Sequence, residues 1–239
     1  MRVPCTRISP ARTRADPPVV HTSDLRLSFT FSAHGQSYVL GTDQLDTYGH
    51  LYELDTLRFF LSNMYAVDDS SVVLASFPGK YFLLDAASAT NDVELGPITA
   101  THLHAVRFLM GLDSLADHAD PISANPPLND PRMHWGSGTL QGYWYMVMTG
   151  RVDSDSSGSL DATDSTFTYR CSTDASERAG WVYVHAGVPD GNAFIVPARV
   201  DMELLMDSID VLNNFNVSGS GAFNMVMMDH LAAAINVYH

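Results

Sequence analysis

The chain has 239 residues, 46% of them hydrophobic, and 27 acidic against 13 basic residues give a formal net charge of −14. This hydrophobic content supports a large buried core, whereas the negative charge repels nucleic acid and anionic lipid surfaces. No stretch is long and apolar enough to form a membrane-spanning helix. The totals therefore predict a globular protein with no nucleic-acid partner and no membrane-spanning segment.

The first twenty residues differ in composition from the rest of the chain. Residues 1–20 are rich in Arg and Pro and predict a disordered N-terminal arm. They lack the apolar core of a signal peptide. The remaining residues, 21–239, are expected to form a single domain, because all-β domains of this length are often undivided.

Short segments with alternating apolar residues, or rich in aromatic and β-branched residues, predict strands along the whole chain. The predicted strands are residues 25–31, 38–40, 54–67, 71–77, 80–84, 93–95, 102–110, 141–149, 165–171, 181–185, 193–200 and 236–239. Pro78-Gly79 lies between two of them and predicts a hairpin. A helical turn is expected within 201–212, and residues 222–234 follow the spacing of an amphipathic helix. The predicted fold class is all-β, a β-sandwich or irregular barrel with one short C-terminal helix.

Residues 125–150 form the most distinctive stretch of the sequence. Prolines in its first half break any helix, and alternating aromatic and apolar residues at its end predict a strand buried on both faces. The break at Gly136–Thr139 puts His134 and Trp135 on a bend beside this strand. Imidazole and aromatic groups on a rigid bend suggest a binding site; the alternative is a loop followed by a core strand.

The sequence contains none of the common catalytic or phosphate-binding motifs, and no catalytic residue is predicted. Its ten histidines are the main candidates for metal ligands. His102 and His104 share one strand face and either chelate a metal or form an ordinary strand-end pair. His134, in a Met-rich neighbourhood, suits a soft metal such as Cu(I). The acidic tip at residues 153–164 is read as a solvated turn rather than a calcium loop, because the EF-hand spacing is absent.

The order of several short motifs resembles the MbnP family, secreted or periplasmic proteins found near methanobactin genes and in many other bacteria. The motifs are Leu57–Asn63, Tyr81–Asp85, Val106–Asp113, the Pro127-Leu-Asn…Met133-His-Trp135…Gly142-Tyr143 block, and Val182–Gly187. The resemblance implies a sandwich-like β fold, an extracytoplasmic location and copper binding. It also implies that a Trp is modified to kynurenine by a partner dihaem enzyme related to cytochrome c peroxidases.

This chain departs from the family pattern at several positions. The copper-site His expected in the segment Leu57–Asn63 is replaced by Ser62, and the cysteines expected near the His-x-Gly motif are absent. The predicted metal ligands are therefore His134 and His185, with Trp135 as the oxidisable neighbour of the cofactor, copper. The alternative is a non-catalytic structural or interaction module that has lost its metal site.

Overall fold

A computed structural model describes residues 19–137, 140–191 and 193–235, and within them the chain forms fifteen strands, three α-helices and two short 3₁₀ helices, Pro131–Met133 and Asp174–Ser176. The strands are β1 His21–Ala33, β2 Gln36–Ser37, β3 Gln44–Leu45, β4 Leu51–Val67, β5 Val73–Phe77, β6 Phe82–Asp85, β7 Asn91–Ala100, β8 His102–Met110, β9 His134–Ser137, β10 Leu140–Tyr143, β11 Met146–Val152, β12 Ser165–Cys171, β13 Arg178–Gly187, β14 Ala193–Asp201 and β15 Asn216–Gly219. The helices are α1 Ser114–Asp117, α2 Met202–Leu205 and α3 Ala222–Ile235. None of these helices has the length and apolar character needed to cross a membrane.

The smaller sheet is built around β1. This strand pairs antiparallel with β7 on one side and parallel with β14 on the other. The short strand β2 pairs antiparallel with the last two residues of β1, across the turn at residues 34–35. Leu25, Leu27 and Phe29 are buried, whereas the residues between them are exposed or partly buried. The alternation visible in the sequence thus places one face of β1 in the core.

The larger sheet is built around the long strand β4. One edge of β4 pairs first with β11 and then with β8, and β13 lies beyond β8. The other edge pairs with β6 over Arg58–Leu61 and with β5 over Met64–Val67. The predicted hairpin of β5 and β6 is therefore wrong, because each strand pairs with its own part of β4 and not with the other.

The two sheets stack face to face around one hydrophobic core. Phe29 of β1 meets Phe108 of β8 edge to face, with ring centroids 6.4 Å apart. Helix α3 packs against α2, β12, β13 and β14, and its Phe223 ring lies 4.8 Å from that of Tyr169. Because the sheets are open, the structure confirms a β-sandwich with a short C-terminal helix.

The stretch predicted as one strand over residues 141–149 is divided. β10 pairs with β9, and the chain then leaves this hairpin at Trp144, whose amide donates to the carbonyl of Met133. The amide of Tyr145 donates to the Cys171 carbonyl instead, and β11 begins at the next residue. Tyr143 and Tyr145 are fully buried, as expected of a central element, but Trp144 is only partly buried.

Two further segments differ from the sequence prediction. Residues 38–40 are not a strand, and the short strand lies just before them at Gln36–Ser37. The Ser- and Gly-rich sequence around residues 216–221 predicts no strand, yet β15 at Asn216–Gly219 pairs parallel with β12. The predicted strand at 236–239 and nearly all of the predicted disordered arm lie outside the described residues.

Candidate metal centre

A group of histidines lies where β8 begins. His102 and His104 are two residues apart on this strand, the spacing that the sequence marked as a potential chelating pair. Asp69 follows the end of β4, and the pairing of Val67 with Ala105 holds that end beside the two histidines. The long strand β4 thus carries a carboxylate to the strand that supplies the imidazoles.

His185 reaches the same place through an irregularity in β13. The register of β13 against β8 shifts between Tyr183 and Ala186, so two residues, Val184 and His185, lie opposite His104. His185 has a positive φ of 42°, a left-handed conformation that is uncommon for a non-glycine residue. The bulge therefore brings a third imidazole to the start of β8.

Asp69 is the common neighbour of the three imidazoles. Its Oδ1 lies 3.0 Å from Nδ1 of His104 and 3.7 Å from Nδ1 of His185, and its Oδ2 lies 3.2 Å from Nδ1 of His102. The ring centroids of His104 and His185 are 4.2 Å apart, almost perpendicular to each other. Asp69, His104 and His185 each offer a ligand atom within 4.8 Å of the others.

The cluster combines solvent access with donors of the type that first-row metals bind. The side chain of His104 is 21% exposed and that of Asp69 is 64% exposed, so an ion can reach them from water. Nδ1 of His102 is buried and makes no hydrogen bond of favourable geometry with a described residue, despite its nearness to Asp69. A buried imidazole nitrogen without such a bond is unusual and fits a ligand position.

The predicted ligand His134 lies elsewhere. Its Nε2 is 2.7 Å from the carbonyl oxygen of Leu128, and its ring meets Tyr143, which packs against Phe60. Phe60 accepts from the amide of Gly111, just beyond the far end of β8. At about 3.3 Å per strand residue, seven residues from His104 to position 111 span roughly 20 Å. His134 and His185 therefore do not share a metal ion in this structure.

Trp135 belongs to the same distant region as His134. Its Nε1 donates to the carbonyl of Tyr143 at 3.0 Å, and its ring lies against Gly142 and near Trp144. A Cβ at position 142 would fall 2.6 Å from the Trp135 ring, which explains the glycine there. Trp135 is thus held as part of the β9–β10 hairpin and is not a neighbour of the imidazole cluster.

Two other groups have side chains close enough to hold an ion, Asp46 with His50 and Asp210, and Asp153 with Asp155 and Asp164, but their carboxylates are engaged in internal hydrogen bonds. Asp46 is buried and accepts from the amides of Tyr48, His50 and Val211, which makes it a structural tie between two loops. In the acidic tip, Asp153 accepts from the amides of the turn that follows it. Both arrangements are those expected of loop-stabilising carboxylates.

Another carboxyl group lies at the opposite end of β8 and β13. Burial and, next, the nearby carboxylates of Asp174, Asp117 and Asp113 raise the pKa of Glu177 to about 7. Asp113 accepts from the Ala116 amide as the N-cap of α1, and both of its oxygens lie 3.2 Å from the Tyr81 hydroxyl. This region is therefore a cluster of carboxylates that repel one another, and the raised pKa of Glu177 reflects that repulsion together with its burial.

The fold and the cluster together define a β-sandwich protein with three imidazoles and a carboxylate at one end of its larger sheet. The family model of MbnP matches residues 22–226, and the chain belongs to the MbnP family. The solved structure of MbnP from Methylosinus trichosporium is similar in fold, with a TM-score of 0.52 at 15% sequence identity, over 85% of this chain and 82% of that chain. No curated protein matches the sequence.

Proposed function

We propose that this MbnP-family protein binds a copper ion at the cluster of His102, His104, His185 and Asp69. The observation that carries the proposal is the convergence of three Nδ1 atoms on one carboxylate, at 3.0–3.7 Å from its oxygens. Imidazole is a good ligand for copper, zinc, nickel and iron, and among divalent first-row ions copper binds a given site most tightly. The family resemblance favours copper in the same way.

The spacing of the ligand atoms supports this assignment. Metal–imidazole bonds of about 2.0–2.1 Å place two opposed ligands at most about 4.2 Å apart. The candidate atoms of Asp69, His104 and His185 lie within 4.8 Å of one another. Small rotations of exposed side chains would close this difference, and the bulged backbone at His185 keeps that ring on the cluster.

The site does not include Ser62, the position that matches the family segment where a copper-site histidine was expected. Ser62 is fully buried on β4, where it lies opposite Leu109 in the middle of the larger sheet. A ligand at this position would not reach an ion bound near Asp69. We therefore propose that the copper site of this chain is formed by β8, β13 and the loop after β4.

The test is a titration of the metal-free protein with Cu(II), followed by calorimetry and electron paramagnetic resonance. Wild-type protein should bind one ion with nitrogen hyperfine structure in its spectrum, and His104→Gln should weaken binding at least tenfold. His118→Gln is the matched control, because His118 is exposed and hydrogen-bonds to the Ser114 carbonyl of α1. Binding should weaken as the pH falls, since imidazole must be neutral to bind a metal.

Equal binding by wild-type protein and by His104→Gln would contradict the proposal. A loss in His134→Gln with no loss in His104→Gln would instead favour the region around Trp135. Analysis of protein from its native source adds a second test, because kynurenine formation would appear as a mass change at Trp135. Such a change would support the proposals of an extracytoplasmic location and of a dihaem partner enzyme.

The second candidate function is a non-catalytic interaction module that uses the same fold without a metal. Ser62 favours this second function, because the position where the family resemblance implies a copper-binding histidine holds a serine that is enclosed in the core. Failure of every titration, with Cu(II) and with Zn(II), in a folded protein would make this second function the better one.

A further inference from the structure

A pocket of about 260 Å³ adjoins the histidine cluster on the outer part of the larger sheet. It extends from His104 and Tyr183 across β8 to Tyr65 of β4 and Trp181 of β13. This volume is slightly smaller than that of typical small-molecule sites, which is about 300–1,000 Å³. The pocket has room for a compound with one ring rather than for a dinucleotide or a large cofactor.

The strand register builds the wall of this pocket. Tyr65 lies opposite Arg107 on one side, and Trp181 lies opposite Arg107 on the other, so the three residues form one row across three strands. Tyr183 occupies the next row, and its ring lies 6.1 Å from that of Trp181 at 73°. Aromatic rings on adjacent strands provide flat apolar faces on which a planar ligand can pack.

Arg107 provides a positive charge in the centre of this row. Its Nη2 donates to the hydroxyl of Ser71 at 3.1 Å, and among the described residues no carboxylate lies within ion-pair distance of its guanidinium. By contrast Arg26, Arg58 and Arg178 each pair with a carboxylate. Arg151, Arg170 and Arg199 likewise form no ion pair with a described carboxylate, so the feature that distinguishes Arg107 is its position in the middle of an aromatic-walled pocket.

We propose that this pocket binds a small aromatic carboxylate, with its carboxylate on Arg107 and its ring against Trp181 and Tyr183. Guanidinium groups recognise carboxylates through paired hydrogen bonds, and these bonds strengthen when aromatic walls exclude water. The overall charge of −14 disfavours anions elsewhere on the surface. The residues of this chain form the pocket without a metal, so ligand binding in the pocket can be tested separately from copper binding.

The probe is benzoate, compared with benzyl alcohol and acetate, in calorimetric or ligand-detected magnetic-resonance titrations of metal-free protein. Benzoate should bind at least about tenfold more tightly than either comparison compound, the effect of one or two hydrogen bonds to a charged group. Benzyl alcohol lacks the charge and acetate lacks the ring. Equal affinity for benzoate and benzyl alcohol would overturn the role of Arg107.

The variant Arg107→Gln should remove the preference for benzoate over benzyl alcohol. Arg170→Gln is the matched control, because the Arg170 guanidinium also lies near an aromatic ring, 5.9 Å from that of Trp144, but on β12. Trp181→Leu should weaken benzoate and benzyl alcohol together, which tests the pocket even if Arg107→Gln fails to fold. Unchanged binding of benzoate in folded Arg107→Gln or in Trp181→Leu would refute the proposal.

Discussion

The left-handed conformation of His185 predicts a reversal in the usual order of alanine and glycine. Substitution to Ala or to Gly removes the imidazole equally, so both variants should lose copper binding to the same degree. They differ in the backbone, because only glycine adopts a φ of 42° without steric cost. His104, on the same cluster, is a regular residue of β8 and provides the comparison.

The expected magnitude follows from two opposing effects. A non-glycine residue in the left-handed region costs about 1–2 kcal/mol, whereas glycine loses about 0.5–1 kcal/mol through the greater freedom of its unfolded chain. At position 185 the first effect is larger, so His185→Gly should be more stable than His185→Ala by roughly 0.5–1 kcal/mol. At position 104 only the second effect applies, and His104→Ala should be the more stable by a similar amount.

Urea unfolding of the four metal-free variants, followed by circular dichroism, measures both differences. The sign of the glycine–alanine difference should be opposite at the two positions, and the two differences together amount to about 1–2 kcal/mol. The same sign at both positions would show that His185 is not left-handed in solution. In that case the bulge in β13 would not be the cause of the orientation of the His185 ring toward Asp69.

Three further predictions concern stability and metal binding. Gly150→Ala should lower the free energy of unfolding by about 2–3 kcal/mol, because a Cβ there would overlap the backbone carbonyl oxygen of Glu53 on β4 and fall 2.5 Å from Cζ of Phe167, whereas Gly221→Ala, with open space around it, should be near neutral. Glu177→Gln should raise stability by about 1 kcal/mol at pH 8, after allowance for solvent screening, and should have no effect at pH 4. The sign follows from a pKa raised from 4.5 to about 7: the stability associated with protonated Glu177 is complete below pH 4.5 and is lost as the pH rises through 7. Glu53→Gln is the control variant. A higher free energy of unfolding in Glu177→Gln than in wild-type protein at pH 4 would contradict the raised pKa of Glu177. Copper at one hundred times its Kd should raise Tm by about 5–10 °C, a gain that a chelator reverses, and an unchanged Tm would argue against a site in the folded state.

Much of the fold was predictable because local patterns determine it. β1, β8 and β12 alternate apolar and polar residues, and α3 repeats apolar residues at helical spacing, so each was predicted from its own sequence. β5 and β6 were predicted as strands but with the wrong partner, since the sequence does not show that β4 is long enough to pair with both. β15 was missed because its Ser- and Gly-rich sequence resembles a linker, and only its pairing with β12 makes it a strand.

The candidate site was predictable only in part, for a related reason. The spacing of His102 and His104 was visible, and His185 was named from the family resemblance. Nothing in the sequence marked Asp69 as a candidate ligand. It lies in a turn well before the histidines in the sequence and comes close to them only through the pairing of β4 with β8. His134 was favoured for its aromatic neighbours, but the β9–β10 hairpin holds it at the other end of the sandwich.

The position of β1 has a consequence for the order in which the chain folds during synthesis. Of the described strands β1 is the first to leave the ribosome, yet Asp24 lies opposite Ala193 of β14, which is translated much later. Loop-closure entropy makes such distant pairings slow, and an unpaired strand edge invites association with other chains. β7 can cover one edge of β1 earlier, but the other edge of β1 stays open in the nascent protein until β14 appears. A chain truncated before residue 193 should aggregate, and chaperone binding should persist through most of translation.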